Sequence, residues 1–372
     1  MINKFCSLSS ILIISPEPWD GHFVSKHHYA VTLAETGSHV YFLNPPDSSL
    51  SNIEVKNTHY KNLWQVKAPQ IAKGLRFYPG FLRRRLEQKW LERLEVEINS
   101  RFTCIWLFEN SRFYDMGFTN QHLKIYHQVD SNQNFHIPDA ASSADICFCT
   151  TDFIKKELQV FNDRVYKIHH GVSELVQQNS LSNNQLEHLS LRDINVALVG
   201  NLDISFLDRE LLKSLIELYP KVTFHLIGGY RKSGELFSMC SNFENIVWWD
   251  KVESSLIPLV LEQMDILLLL YKAEDQFELE QLASPHKVME YLASGKVTVA
   301  TYTDEYKDKS ELLEMVDKNS DYISKFDDVI NNLVQYNSLE NQSKRKIFAK
   351  ENTCSKQLNK VISYLKTHNL ID

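Results

Sequence analysis

The sequence predicts an α/β protein built from two parallel-sheet domains, and three observations carry that prediction. Short continuous apolar runs such as ILII, CIWLF and ILLLLY alternate with segments of helical spacing, the pattern of strands covered by helices on both faces. The alternation breaks at a stretch rich in Asn, Gln and Ser, ELVQQNSLSNNQLEHLSLRD, and then restarts. At 372 residues the chain is also longer than one hydrophobic core ordinarily organises.

In the first half, residues 11–15 read as a buried strand, followed by the loop PEPWDGHFVS, a helix over 26–35 that Gly37 ends, and a strand at 39–43. Residues 53–66 give weaker strands, 79–100 a long helical region, and 104–108, 124–128 and 146–150 further strands. A helix over 152–158 and a strand at 165–169 close the half. After the polar stretch, strands at 195–199, 223–227, 246–248, 266–270 and 297–301 are separated by helices at 209–218, 232–239, 256–263 and 285–294. The tail over 325–371 is helical. This order divides the chain into a Rossmann-like domain over 1–175, a linker over 176–193, a second Rossmann-like domain over 194–330, and helices over 331–372 that pack back across the domains. The two domains are expected to face a cleft.

Composition excludes several classes. Hydrophobic residues make up 43% and charged residues 23%, which is globular, and the net charge of −7 argues against a nucleic-acid binder. The six cysteines are scattered without a C-x-x-C pair, and Cys147 and Cys149 share one face of a strand, so buried free thiols are expected and no zinc site. The opening MINKFCSLSSILIISPEP has one lysine, a short apolar run and no A-x-A site, and no stretch reaches the roughly 18 apolar residues of a membrane span. A cytoplasmic protein is expected.

The sharpest local signal is LASPHKVMEYLASGKVTVAT, residues 282–301. Ser284 suits an N-cap, Pro285 the first helical position and Gly295 the C-terminal cap. Val288, Met289, Tyr291, Leu292 and Ala293 supply an apolar face. The helix follows a strand through a loop, so its amino end faces the crevice outside the strand carboxyl ends, where ligands of open α/β sheets bind. The amides of His286 and Lys287, with the Lys287 ammonium, would then hold a diphosphate, and Glu290 would accept from ribose hydroxyls. The other reading is an ordinary surface Lys–Glu pair worth a few tenths of a kcal/mol, and spacing alone leaves both open.

The run P-x-K-x-x-E-Y-L-A-x-G-K-x-x-V-A-T from Pro285 to Thr301 resembles the donor-binding helix of GT-B glycosyltransferases, closest to the retaining enzymes that build bacterial surface polysaccharides. Further segments fit the same family in order: ILIISPEPWDGHFVSKHHYAVTLAETGSHVYFLNPP, IYHQVDS, ADICFCTTDFIKKEL, VYKIHHGV and VALVGNLDISFLD. The resemblance implies transfer of a sugar from a nucleoside diphosphate-sugar to a hydroxyl of a lipid-linked or polysaccharide acceptor, without a resident cofactor. It places Glu290 on the ribose and Lys287 on the diphosphate, with Ser284 and His286 beside them. Gly200 lets the donor approach the first turn of the second domain, Gly228 and Gly229 leave room for the nucleotide, and Lys251 and Val252 meet the base. In the first domain, Gly21 approaches the donor phosphates, while His127 and Asp130 lie where acceptor and sugar meet. The family's E-x7-E has Leu282 at its first position here, and of its Arg-Lys pair only Arg209 is supplied, a charge that Arg231 or Lys232 could replace.

No D-x-D occurs, so a metal-independent mechanism is expected. For His127, a structural role at the end of a strand stands as an equal alternative, as does loop capping for Asp130. The basic, aromatic segment KGLRFYPGFLRRRLEQKWLERL, residues 73–94, suggests contact with an anionic membrane surface through its arginine triplet, with Trp90 and Leu91 packing inward. Two other functions share the fold: a non-catalytic nucleotide-binding scaffold and a UDP-sugar 2-epimerase.

Overall fold

The computed structural model describes residues 8–21, 23–108, 111–130, 135–173, 194–249, 252–253, 256–272 and 286–372. It divides into two compact units: residues to Gly171 together with Cys354–Asp372, and Val172–Thr353. The expected linker over 176–193 lies outside the described residues. Of the C-terminal helices, those up to Thr353 belong to the second unit, and the last, Cys354–Thr367, belongs to the first.

The first unit carries an eight-stranded sheet in the order β3-β4-β2-β1-β5-β6-β7-β8. Its strands are β1 (Ser10–Ile14), β2 (His39–Leu43), β3 (Glu54–Asn57), β4 (Leu63–Lys67), β5 (Cys104–Leu107), β6 (Leu123–Gln128), β7 (Ile146–Cys149) and β8 (Val165–Lys167). All pairings are parallel except that of β3 with β4, a departure from the wholly parallel expectation. The run ILII is continuous because both faces of β1 are buried: Ile11 and Ile13 enter one core, Leu12 and Ile14 the other. The first core is closed by α1 (Ser25–Glu35) through Tyr29, Ala30 and Leu33, and by the terminal helix through Leu358, Val361 and Leu365. The opposite core is closed by α2 (Gly80–Glu97) through Trp90, Leu91 and Leu94. The short helices α3 (Ile137–Ser143) and α4 (Asp152–Gln159) lie on that same side.

The second unit has six parallel strands in the order β11-β10-β9-β12-β13-β14. These are β9 (Ile194–Val199), β10 (Val222–Ile227), β11 (Ile246–Trp249), β12 (Ile266–Leu269), β13 (Val297–Thr301) and β14 (Glu314–Val316). Helices α5 (Arg209–Leu218), α6 (Glu235–Cys240), α7 (Ile257–Glu262) and α8 (His286–Ser294) cover it, followed by α9 (Tyr322–Asn331), α10 (Leu333–Tyr336) and α11 (Leu339–Glu351). β9 lies at the topological switch between β10 and β12, where open α/β sheets bind ligands. Helix α6 starts at Glu235, three residues later than its periodicity suggests, because a turn closes first from the Gly234 N–H to the Arg231 carbonyl.

The cysteines described, Cys104, Cys147, Cys149, Cys240 and Cys354, are free and buried. Among the described residues no helix is long and apolar enough to cross a membrane.

Candidate active site

In the second unit, β9 and β10 end in two glycines that pack backbone against backbone. Gly200 has φ +140° and Gly228 φ +136°, values that L side chains rarely adopt. A Cβ on Gly228 would fall 1.9 Å from the Gly200 carbonyl oxygen. The Gly200 N–H donates to the Ile227 carbonyl at 2.9 Å, fixing the two turns together. The result is a floor of bare backbone at the carboxyl ends of the strands. At Gly229 no atom of the described residues lies within 4 Å of where its Cβ would be.

Lys287 reaches onto this floor from the first turn of α8. Its ammonium donates to the Val199 carbonyl at 3.0 Å, lies 5.2 Å from the centre of the Tyr271 ring, and is 3.4 Å from the Cβ position of Gly200. The helix is held there by a side chain that the sequence reading took only as apolar. Tyr291 Oη accepts from the Val199 N–H at 3.0 Å and donates to the Leu268 carbonyl at 3.3 Å, so one hydroxyl fastens α8 to β9 and β12. Val288, Met289 and Leu292 complete the seat.

Glu290 follows Lys287 by three residues. Burial pushes the Lys287 ammonium down to about 8, opposed by the Glu290 charge. Burial likewise pushes the Glu290 carboxyl up to about 7, opposed by Lys287. Among the described residues the ammonium uses one of its three N–H groups, on a neutral carbonyl, and the first amides of α8 have no acceptor within the helix. Such an arrangement suits an anion with several oxygens.

The structure thus brings Gly200, Gly228, Lys287 and Glu290 together, with His286 opening the helix. Val252 packs beside them on the core that contains Val199, Ile227 and Tyr291. Arg231 is 74% exposed and pairs with Asp203 at 3.1 Å, so its charge is already matched. Lys251 and Ser284 lie outside the described residues, as do Pro285 and Leu282.

In the first unit, Gly21 closes a turn by donating to the Pro18 carbonyl at 3.0 Å. His27 secures this loop: Nδ1 accepts from the Val24 N–H at 3.2 Å and Nε2 donates to the Pro18 carbonyl at 3.2 Å. Burial pushes its pKa down to about 4, so it does this as the neutral ring. His127, near the end of β6, is 1% exposed and sits among Tyr29, Trp106, Phe108 and Phe148, stacked on Phe108 at 4.9 Å. Among the described residues neither of its ring nitrogens has a hydrogen-bond partner. Among the described residues, then, the ring is held by aromatic packing. Burial, reinforced by His170 and Lys26, pushes its pKa down to about 3.

Burial raises the Asp130 carboxyl, which Lys26 opposes and Glu17 reinforces. Sequence reasoning missed these neighbours. Lys26 is 1% exposed and paired with Glu17 at 2.5 Å, and Ser25 Oγ meets His170 Nδ1 at 2.6 Å. A lysine and a serine opening a helix carry no sign of burial; only the packing of α1 on the sheet reveals it.

The arginine triplet needs correction. Arg83 is buried, donating to Asp115 at 3.0 Å and to the Tyr114 hydroxyl, and is unavailable to a membrane. Arg84 is half-exposed and shares Asp115, while Arg85 is exposed. Trp90 and Leu91 are buried, as expected.

No protein-family model and no curated protein matches the chain. Solved structures do. Sucrose-phosphate synthase from Thermosynechococcus elongatus aligns with TM-score 0.69 at 11% identity, over 97% of this chain and 100% of that one. A trehalose-6-phosphate structure from E. coli bound with UDP-2-fluoro glucose gives TM-score 0.67 at 10% identity, over 96% and 99%. WaaG, a glycosyltransferase involved in lipopolysaccharide biosynthesis, gives TM-score 0.62 at 10% identity, over 94% and 98%. Across nearly the whole chain, then, the fold is GT-B.

Proposed function

We propose that this protein is a glycosyltransferase moving a sugar from a nucleoside diphosphate-sugar to a hydroxyl of a lipid-linked or polysaccharide acceptor. The observation that carries the reading is the Lys287 ammonium on the Gly200–Gly228 floor, a cation at the switch point of the sheet whose hydrogen bond among the described residues goes to a neutral carbonyl. Two neighbours of the same fold agree with it: one is bound with UDP-2-fluoro glucose, and one is a glycosyltransferase of lipopolysaccharide biosynthesis.

In this reading the diphosphate lies on Lys287 and the opening amides of α8, the ribose hydroxyls donate to Glu290, and the space over Gly229 admits the nucleoside. Lys251, Val252 and Ser284 line the same donor site, with Arg231 at its edge. As the bond from the anomeric carbon to the phosphate oxygen breaks, negative charge grows on the diphosphate, and the ammonium and helix dipole stabilise it without a metal. The acceptor oxygen bonds to that carbon on the same face, with retention, and its proton leaves with the diphosphate. In the first unit, Gly21 lies by the phosphates, neutral His127 offers one N–H and one acceptor nitrogen to sugar hydroxyls, and Asp130 faces the acceptor. Exposed Phe77, Phe81 and Arg85 support a peripheral contact of the protein with the inner face of a cell membrane.

A nucleotide-sugar panel incubated with membrane extract tests this through the nucleoside diphosphate released. One donor should give acceptor-dependent release. Binding without release across the panel would favour the scaffold, and isomerisation of UDP-N-acetylglucosamine without acceptor would favour the epimerase.

A further inference from the structure

Helix α2 carries a stripe of polar side chains that its own packing leaves unfinished. Arg83, Glu87 and Trp90 stand at i, i+4 and i+7, so they share one face of the helix. All three are buried, at 7%, 1% and 8% exposure. Among the described residues Arg83 Nε, Glu87 Oε2 and Trp90 Nε1 have no hydrogen-bond partner. Buried polar atoms of native proteins are nearly all paired, so three such atoms on one stripe point to a ligand.

The same three residues line a cavity of about 370 Å³ at the carboxyl ends of β2 and β4. Its size is that of a small-ligand site, and it lies at the end of the sheet where such sites form. No residue assigned to the donor or to the acceptor borders it. Leu43, Ala68, Ile71 and Leu75 give it apolar walls, on which water would find few partners. Phe77 also borders it and is 77% exposed, so the way out is apolar.

The charges around the stripe are matched, and this sets the head of the ligand. Arg83 donates to Asp115 at 3.0 Å and to the Tyr114 hydroxyl, and it faces Glu87 at 3.7 Å. Arg84 shares Asp115. Arg112, also on the lining, donates to the carbonyls of Ser15 and Asn44, each at 2.9 Å. An anionic head would meet Glu87 and a cationic head Arg83, whereas a hydroxyl meets neither as a like charge. Its two lone pairs accept from Arg83 Nε and Trp90 Nε1, and its proton goes to Glu87 Oε2. Burial pushes the Glu87 carboxyl up to about 8, opposed by Arg83. A hydroxyl serves both states, donating to the carboxylate or accepting from the acid.

We propose that this cavity binds an uncharged amphiphile by a hydroxyl head seated among Arg83, Glu87 and Trp90, with its hydrocarbon body along the apolar walls toward Phe77. The lining belongs wholly to the first unit, and the proposal does not rest on the glycosyltransferase reading.

Calorimetric titration with 1-octanol, without any nucleotide sugar, tests it, with octanoate and octylammonium as charged comparisons of the same length. Wild type should bind 1-octanol saturably and both ions at least about tenfold more weakly. Trp90→Phe and Glu87→Met keep most of the volume and remove a polar atom, and each should weaken octanol binding about fivefold. Ala72→Trp, which puts a large ring on the lining, should abolish it. Unfolding midpoints identify the folded variants, and the comparison of the three ligands on wild type stands whether or not a variant folds. Flotation with phosphatidylcholine vesicles, with and without dioleoylglycerol, gives the source. Recruitment by the lipid alcohol supports a membrane ligand, and octanol binding without recruitment supports a ligand taken from solution. No saturable octanol binding, equal binding of either ion, or wild-type affinity in folded Trp90→Phe and Glu87→Met overturns the proposal.

Discussion

The Lys287 ammonium donates to the carbonyl of Val199 at 3.0 Å, joining the first turn of one helix to the last residue of a central strand. A neutral carbonyl is a weak counterpart for a half-buried cation, and burial accordingly lowers its pKa to about 8. Replacing Lys287 by Met should leave the ligand-free protein as stable as wild type or more so. It should weaken nucleoside diphosphate binding at least about tenfold, given the typical strength of a hydrogen bond to a charged group. Thermal shift with and without the nucleotide measures both effects.

The same group sets a pH dependence. Unfolded Lys287 keeps its proton to about 10.5 and folded Lys287 loses it near 8, so between these values the unfolded state binds more protons and this residue's contribution to stability rises with pH. Nucleotide affinity runs the other way, because the diphosphate needs the cation: from pH 7 to 9 it should fall about tenfold as the charged fraction drops. In Lys287→Met that fall should disappear. Titration calorimetry at the two pH values checks it.

The glycine floor makes a paired prediction. Gly228→Ala puts a methyl 1.9 Å from the Gly200 oxygen at φ +136° and should cost at least about 2 kcal/mol of stability. Gly229→Ala meets nothing within 4 Å among the described residues and should change stability by no more than about 0.5 kcal/mol, yet weaken nucleotide binding, because its methyl enters the space assigned to the nucleoside. Denaturant unfolding and titration of both variants distinguish the two effects.

Tyr291→Phe removes the hydroxyl between the Val199 N–H and the Leu268 carbonyl. With both of these buried hydrogen bonds lost, a loss of about 1–3 kcal/mol is expected in denaturant unfolding.

His127 lies in an aromatic box, so Phe at that position should fit at a cost below about 1.5 kcal/mol. If the neutral ring serves the sugar, turnover by His127→Phe should fall at least about a hundredfold with the fold intact. Unchanged turnover would return His127 to a packing role.

The fold was legible in sequence where burial on both faces wrote itself as unbroken apolar runs, as in ILII of β1 and VTVAT of β13. The wholly unexpected elements were those with little to read. Helix α3 is IPDAASS, whose small residues give almost no periodicity, and β14 is the three residues EMV. Helix α8 was legible through Lys287, Glu290 and Gly295, whose φ of +79° fits its capping role. Tyr291, Lys26 and Glu17 were not, because a tyrosine on an apolar face, a lysine opening a helix and a glutamate in a loop acquire their roles only from the tertiary packing.

The central claim, that the head of α8 holds a nucleoside diphosphate, is tested most directly by titrating UDP and GDP into wild type, Lys287→Met and Glu290→Ala by calorimetry. The account predicts that one nucleotide binds wild type saturably and both variants at least about tenfold more weakly, with all three proteins folded. Equal affinity in all three, or no binding of either nucleotide to wild type, would contradict it.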